Sequence, residues 1–425
     1  MQAKDLLKGT RWIAVFCIGI GALLRWLWIF PLHSSGSALD HMHRYVFSDM
    51  WNYWRNATLL WHPELDHWTA ADAMWPLGMP LYLAALLGRN LDLVIVFQSA
   101  QWILSIAILV LVYALADEMY GKRTALIALA ISSVTFGLFD YSAYALAETP
   151  FTVLLLAFLI LIHRAHEKGS LGLFALAGLT IGLAAIFKAV GFLVALVFVI
   201  WLLGRNATPF KKRLKCVTVF FACALTIILT ESAFLTAKNG GEPVLISNDI
   251  ARIALANHGD LFGVRVTLHD GSVGEIRLPT AFARKLTVFR EVSPESHVVL
   301  ENLAWVSEHP AQAATGLLRR IYDLFFDIHP FPTAFTPYRV FVAVTQILTA
   351  LFVLFPAGGT LLGLWWKKSP KERGSERFLL LPVAALLLTT IIAASEPRYL
   401  HSFLPVFILL AARFYLKILS PKAGD

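Results

Sequence analysis

Charge is scarce in this sequence. Only 15% of its 425 residues are Asp, Glu, Lys or Arg, whereas 58% are hydrophobic. Soluble domains are about a quarter charged and about half apolar, so this composition excludes an ordinary soluble protein. Several apolar runs approach the ~20 residues that a helix needs to cross a membrane. The sequence therefore predicts an all-α polytopic membrane protein.

Cysteine is scarce too, and histidine follows no metal-binding pattern. Cys17, Cys216 and Cys223 lie in apolar runs, and the last two are too far apart along one predicted helix to form a disulfide. Five His precede position 70 without the spacing of ligands on one helix face, so no metal site is predicted. The cofactor stays unknown. The net charge of +8 indicates basic cytoplasmic loops, and no nucleic-acid partner is predicted.

The apolar runs predict about ten transmembrane helices. These spans lie at about 12–31, 92–116, 124–144, 149–163, 171–188, 190–204, 215–236, 340–365, 377–394 and 401–419. Lys and Arg cluster before the first span and after the second, fourth, sixth and eighth, as at Lys122 and Arg123. Because these clusters fall on one side of a ten-span chain, the positive-inside rule makes that side, and both termini, cytoplasmic.

Two long segments then face the outer side, a first outer loop at about 32–91 and a second at 237–339. The predicted modules are accordingly residues 1–236, which include the first outer loop, the second outer loop itself, and the C-terminal transmembrane helices at 340–425.

Both outer loops contain predicted structure. Pro76 to Gly88 is apolar but too short to cross, which favours a re-entrant or interfacial helix. In the second loop, alternating residues around an Asp-Gly turn between Val264 and Pro279 predict a small β-hairpin. The following segment predicts two amphipathic helices broken at Pro310.

Polar residues that could take part in catalysis or binding lie at the predicted outer helix ends and in the two outer loops. They are Asp49, Glu148, Lys188, Arg252, Asn257, His258, Glu396, Arg398 and Tyr399. Ionisable groups at membrane depth are costly unless they face a polar cavity, so each is a functional candidate. Lys188 either binds a phosphate at the outer leaflet or extends to the lipid headgroups. Asp49 is either functional or the N-cap of a helix over "MWNYWRNATLL", and Glu148 either binds substrate or complements a helix dipole.

A set of motifs occurs in a characteristic order along the chain. They are "SDMWNYW" at 48–54, "MWPLGMPLYLAALLG" at 74–88, "MYGKR" at 119–123, "AETPFTVLLLAFLI" at 147–160, "GLTIGLAAIFKAVGF" at 178–192, "GGEPVLISNDIARIALANHG" at 240–259 and "EPRYLHSFLP" at 396–405. In this order and spacing the chain resembles the GT-C class of membrane glycosyltransferases. The similar branch includes dolichyl-phosphate-mannose–protein mannosyltransferases and bacterial lipid A aminoarabinose transferases.

The resemblance implies transfer of a sugar from a polyprenyl-phosphate donor to the hydroxyl of a lipid, glycan or protein acceptor, with inversion, at the outer leaflet. Asp49 would be the general base. The implied substrate- and phosphate-binding residues are Lys188, Arg252, Arg398, Tyr399, Glu148, Tyr53, Asn257 and His258. An apolar groove between the spans would receive the donor's lipid, and the predicted location is the cell (inner) membrane.

Two departures from the family pattern limit what carries over. The protein mannosyltransferases carry paired acids in the first loop, whereas Met50 follows Asp49 here. The aminoarabinose transferases place a metal-binding acid just before the Pro-rich helix, where this chain has "AMWPLG" and Asp72 is the nearest acid. Neither the substrate nor metal dependence is therefore predicted.

Three other functions stay open at this point. A transporter or flippase for a lipid-linked sugar would also have about ten spans, but transporters place their charges near the bilayer midplane on repeated helices. A polymerase or ligase of lipid-linked glycans would use a diphosphate donor. A non-catalytic subunit of a glycosylation complex would keep the fold and tolerate loss of Asp49.

Overall fold

The structure is a computed structural model of the chain. It describes residues 3–30, 49–63, 75–89, 94–204, 209–238, 241, 244, 261–267, 273–279, 307–326, 339–363, 370–392 and 397–419.

Fourteen α-helices run through the described residues. They are α1 (Ala3–Ile29), α2 (Asp49–Trp61), α3 (Gly78–Leu87), α4 (Val94–Tyr120), α5 (Lys122–Val134), α6 (Glu148–Lys168), α7 (Leu171–Phe187), α8 (Val190–Gly204), α9 (Phe210–Lys238), α10 (Pro310–Phe326), α11 (Arg339–Thr349), α12 (Phe355–Leu362), α13 (Pro370–Ile392) and α14 (Pro397–Leu419). A π-helical turn, Ala350–Leu354, joins α11 to α12. The predicted all-α class is confirmed.

Six helical segments among the described residues are long and apolar enough to cross a membrane. They are Arg11–Ile29, Val94–Tyr120, Glu148–Lys168, Phe210–Lys238, Val340–Leu362 and Arg398–Leu419. The apolar helices α3, α7 and α8 are shorter, at 10 to 17 residues. The chain is therefore a multi-pass membrane protein, while the total of about ten spans stays a prediction.

The predicted span at 124–144 is wrong as a continuous helix. α5 ends at Val134, and Thr135 has extended backbone angles of φ −73° and ψ 106°. Two 3-10 turns follow, Phe136–Leu138 and Asp140–Ala143. The apolar composition of this stretch reflects burial inside the protein instead of a helix that crosses the membrane.

Arg25 of α1 stabilises the end of α5 inside the protein. Its guanidinium donates to the carbonyl oxygens of Ser132 (3.2 Å) and Ser133 (3.3 Å), in the last turn of α5. A helix leaves its last carbonyls without partners, and a cation there also complements the helix dipole. Arg25 is completely buried, and its charge lies 4.7 Å from the ring centroid of Phe139.

Glycine allows α7 and α9 to pack unusually closely. A side chain at Gly182 would lie 2.8 Å from the carbonyl oxygen of Ala224, and one at Gly178 would collide with that of Phe220. Small residues four positions apart let helix backbones approach in membrane proteins. The motif at 178–192 therefore fixes the position of α7, whose end carries Lys188.

Two large hydrophobic cores organise the described residues, beside a small cluster of Leu77, Leu235 and Val244. The larger of the two combines residues of α4, α5, α6, α7, α8, α9, α10, α12, α13 and α14. The smaller one joins the end of α1 with α2, α3 and the buried stretch 136–147 that precedes α6. The second core therefore packs the first outer loop against the segment that leads into Glu148.

The described part of the second outer loop contains two strands and one helix. Strands β1 (Leu261–Thr267) and β2 (Val273–Pro279) pair antiparallel, in the segment for which a hairpin is predicted. Helix α10 begins at Pro310, at the predicted break. The residues just before Ser307 lie outside the described part of the chain.

Candidate active site

Glu148 is the first residue of α6 and the centre of a buried charge cluster. Its Oε1 accepts a hydrogen bond from Nζ of Lys188 at 2.8 Å and lies 3.7 Å from Nε of Arg398. All three side chains are less than a tenth exposed. A carboxylate in the first turn of a helix also interacts favourably with the helix dipole. The sequence predicted these three residues individually, and the structure brings them together.

Lys188 ends α7 in an extended conformation, with φ −147° and ψ 122°. Its backbone N–H still bonds to Ala184 O at 3.0 Å, while its own carbonyl accepts from Gly191 N at 2.9 Å. The ammonium group lies 4.6 Å from the ring centroid of Tyr399, a cation–π contact. Because the side chain is only 8% exposed, it points into the protein and does not extend to the lipid headgroups.

Arg398 and Tyr399 stand in the first turn of α14. The site therefore forms where the start of α6, the end of α7 and the start of α14 converge. One turn further along α14, the ring nitrogen Nδ1 of His401 lies 2.9 Å from Gly137 O, and its ring packs edge-on against Tyr141 at 4.8 Å. These contacts join α14 to the stretch that follows α5.

The cluster brings two cations and one carboxylate together inside the protein. Charges interact more strongly where water is excluded than in bulk solvent. The carboxylate therefore holds the two cations close to each other, as the binding of an anion would require.

Asp140, in the turn before α6, is a buried acid that the sequence analysis missed. It is completely buried, and neither carboxylate oxygen has a hydrogen-bond partner among the described residues. Trp28 Nε1 donates to its backbone carbonyl at 2.9 Å. Burial raises the pKa of its carboxyl well above the ordinary value of 3.8. The available signal was an acid inside the apolar run "FGLFDYSAYALAE", which the predicted span at 124–144 concealed.

The first outer loop contributes α2 to this neighbourhood. Asp49 is the first residue of α2, as the helix prediction requires, but its side chain lies outside the described part of the structure. Tyr53 is buried, and its ring packs edge-on against Trp75 at 6.0 Å. Tyr53 shares the smaller hydrophobic core with Ala147, the residue before Glu148.

Three predicted site residues cannot be placed. Arg252, Asn257 and His258 lie outside the described residues. Among the residues that are described, no group of three or more His, Cys, Asp or Glu is arranged to hold a metal ion.

Comparison with known proteins supports one fold class. Residues 77–230 match the family model of dolichyl-phosphate-mannose-protein mannosyltransferases, and this stretch includes Glu148 and Lys188. The match covers less than half of the chain. A search of curated protein sequences finds no match.

The solved structures that resemble this chain include oligosaccharyltransferases of Archaeoglobus fulgidus. AglB in complex with an inhibitory peptide and a dolichol-phosphate aligns with a TM-score of 0.51 and 16% identity, over 96% of this chain and 50% of AglB. The apo oligosaccharyltransferase aligns with a TM-score of 0.52 and 16% identity, over 94% of this chain and 50% of that one. The form tethered to an acceptor peptide with an NVT sequon aligns with a TM-score of 0.52 and 15% identity, over 95% and 49%.

This chain thus spans about half the length of the solved structures it resembles. At these identities the likeness concerns the fold. Together with the family match, it confirms the resemblance predicted from the motifs: the chain has the fold of the GT-C class of membrane glycosyltransferases.

Proposed function

We propose that the protein is a membrane glycosyltransferase that moves a sugar from a polyprenyl-phosphate donor to an acceptor hydroxyl, with inversion. The proposal rests on the convergence of Lys188, Arg398 and Glu148 at the ends of three helices. The family match and the GT-C fold support this class of reaction.

The proposed reaction exchanges one bond at the anomeric carbon for another. The acceptor oxygen forms a bond to this carbon, while the bond to the phosphate oxygen breaks and the lipid phosphate leaves with the electron pair. Asp49 accepts the proton of the acceptor hydroxyl as general base. Attack opposite to the leaving group inverts the anomeric configuration.

Lys188 and Arg398 compensate the charge that develops on the leaving phosphate. Fixed cations in a site without bulk water stabilise such a charge with little reorganisation. Glu148 and Tyr399 hold the Lys188 ammonium group in place before the donor arrives. We assign Arg252 to the same phosphate, and Tyr53, Asn257 and His258 to contacts with the sugar and the acceptor.

A monophosphate donor is preferred to a diphosphate in this proposal, because the family whose model matches residues 77–230 is described by a monophosphate donor, dolichyl-phosphate-mannose.

Asp140 is a second acid that we assign to the substrate region. Its carboxyl, which has no hydrogen-bond partner among the described residues, lies in the turn before α6, and burial raises its pKa and so favours the neutral form. A neutral carboxyl both donates and accepts hydrogen bonds, as sugar hydroxyls require.

The length of α6 supports an active site on the outer face of the cell membrane. Glu148 begins this 21-residue helix, and the basic residues Arg164 and Lys168 lie near its other end. At about 1.5 Å per residue the helix extends about 30 Å, the thickness of the hydrocarbon core. If the basic end is cytoplasmic, as the positive-inside rule requires, Glu148 and both partners face the outer leaflet.

The test is cleavage of the donor by purified protein in liposomes. Radiolabelled polyprenyl-phosphate sugars are supplied with an acceptor extract, and released polyprenyl phosphate is separated by chromatography. Lys188→Gln and Arg398→Gln should each lower kcat by about 10²- to 10³-fold. Arg164→Gln is the matched control, because it breaks the exposed ion pair with Glu118 near the opposite end of α6.

Two outcomes would overturn the proposal. If the wild type cleaves no donor from a broad panel but moves intact label across the bilayer, the protein is a transporter. If Lys188→Gln and Arg398→Gln both cleave the donor as fast as Arg164→Gln, the cluster does not meet the phosphate.

A further inference from the structure

Glu231 of α9 forms a buried hydrogen bond that has no role in the proposed reaction. Its Oε1 accepts a hydrogen bond from the backbone N–H of Leu77 at 2.7 Å, across 154 positions of sequence. Glu231 is buried within a predicted span, where an ionisable side chain is costly. Leu77 precedes α3 and offers no side-chain cap. Glu231 therefore caps α3 from another helix.

The start of α3 also contacts the end of α7, next to Lys188. Gly78, the first residue of α3, lies so close to the end of α7 that a side chain there would be 2.7 Å from the carbonyl oxygen of Ile186. The ring of Phe187, which precedes Lys188, also packs edge-on against the ring of Tyr82, with the two centroids 6.5 Å apart. The start of α3 is thus held between Glu231 on α9 and the end of α7.

Helix α3 also holds the helix that begins with Asp49. Trp61, the last residue of α2, donates from Nε1 to the carbonyl oxygen of Ala84 at 2.8 Å. Helices α2 and α3 pack against each other. A continuous series of contacts therefore runs from Glu231 through α3 to α2.

We propose that Glu231 is a positioning residue, which sets the distance between Asp49 and Lys188 by fixing the start of α3. This inference rests on the proposed function, in which these two groups act on opposite sides of the bond that breaks. The carboxyl oxygen of Glu231 suits the task because the first N–H groups of a helix have no acceptor within the helix and carry partial positive charge. Loss of the bond would let α3 shift, and with it α2.

The test compares two variants of similar size. Glu231→Gln keeps an oxygen acceptor at the same reach, whereas Glu231→Leu removes it. Thr230→Leu is the control, because Thr230 is the exposed neighbour on the same helix. Hydrogen–deuterium exchange of residues 75–89 in detergent reports on α3 without any need for catalysis. Transfer kinetics then separate kcat from KM for the donor.

We expect Glu231→Leu to raise exchange in residues 75–89 and to lower kcat about tenfold to hundredfold, because small displacements of reacting groups cost this much. KM for the donor should change little, and Glu231→Gln should restore most of kcat. Gly78→Ala tests the junction from its other side with Glu231 intact, and it should also raise exchange and lower kcat.

The outcomes separate this inference from the proposed function. If Glu231→Leu exchanges and turns over like Thr230→Leu, Glu231 does not position α3, whatever the reaction is. If Glu231→Gln and Glu231→Leu lower kcat equally, the hydrogen-bond acceptor at this position does not matter and the inference fails. If exchange responds as expected but the wild type transfers no sugar, Glu231 still fixes α3 and the proposed function fails.

Discussion

Lys188 Nζ lies 2.8 Å from Glu148 Oε1, although 40 residues separate the two in sequence and both are buried. The pair joins the end of α7 to the start of α6. A buried ion pair contributes little net stability by itself, yet removal of one partner leaves an uncompensated charge. Because loss of one partner costs more stability than loss of both, single and double variants can separate the structural role of the pair from its proposed role in phosphate binding.

Lys188→Met should therefore destabilise the fold by about 3 kcal/mol, because among the described residues Glu148 then keeps only the more distant Arg398 as an ion-pair partner. The double variant Lys188→Met with Glu148→Gln should recover most of this loss, since both charges are gone. It should still lack transfer activity. Thermal unfolding in detergent and the donor-cleavage assay measure the two effects. Recovery of activity together with stability would contradict a phosphate-binding role for Lys188.

The sequence predicted which polar residues stand at helix ends, but it could not predict their pairs. Glu148, Lys188 and Arg398 were each identified from an ionisable group beside an apolar run. Their convergence depends on the packing of α6, α7 and α14, which local patterns do not encode. The glycines of the motif at 178–192 were visible in the sequence, and their contacts with α9 were not.

Three buried ionisable residues were missed for one reason. Arg25, Asp140 and Glu231 all lie within apolar stretches that were assigned as membrane spans. An unusual charge inside each stretch was the available signal. In the structure Arg25 binds the carbonyls at the end of α5, and Glu231 binds the backbone of Leu77. The predicted spans that contain Arg25 and Glu231 are helices in the structure, whereas the span at 124–144 is not a continuous helix. Sequence alone could not separate these cases, because burial in protein and burial in lipid select the same apolar composition.

Close packing of α7 on α9 predicts a sharp difference between two glycines. Gly178→Ala should destabilise the fold by about 1–3 kcal/mol, because the new methyl group meets backbone atoms of Phe220. Gly172 lies on the same helix, where an added methyl group would meet only the Ser170 hydroxyl oxygen at an ordinary 3.9 Å, so Gly172→Ala should be neutral or slightly stabilising. Thermal unfolding of the two variants under identical conditions tests this. Equal losses would mean that α7 and α9 are not in close contact.

Asp140 predicts an unusual dependence of stability on pH. Its folded pKa is raised by burial above the ordinary 3.8, so the folded state keeps a proton that the unfolded state releases. The contribution of Asp140 to the free energy of unfolding is fully present below the pKa of its unfolded state. It falls as pH rises towards the pKa of its folded state, by up to about 1.4 kcal/mol per pH unit. Asp140→Asn removes this loss.

The variant Asp140→Asn should therefore unfold at a higher temperature than the wild type at about pH 8, with a difference that shrinks towards about pH 4. Asp117→Asn, an acid of α4 that is not fully buried, is the control. Unfolding temperatures across this range provide the measurement. A difference that is constant with pH would show that Asp140 does not titrate as burial requires.

The most direct test of the proposed reaction is sugar transfer by the Asp49→Asn variant. Asparagine retains the shape and the helix-capping ability of aspartate but cannot accept the proton. Asp72→Asn, which changes another acid of the predicted first outer loop, is the matched control. We predict that Asp49→Asn inserts and folds normally while kcat falls by about 10²- to 10⁴-fold, and that Asp72→Asn transfers sugar like the wild type. Transfer by Asp49→Asn at the wild-type rate would contradict the account, because Asp49 would then be only a helix cap.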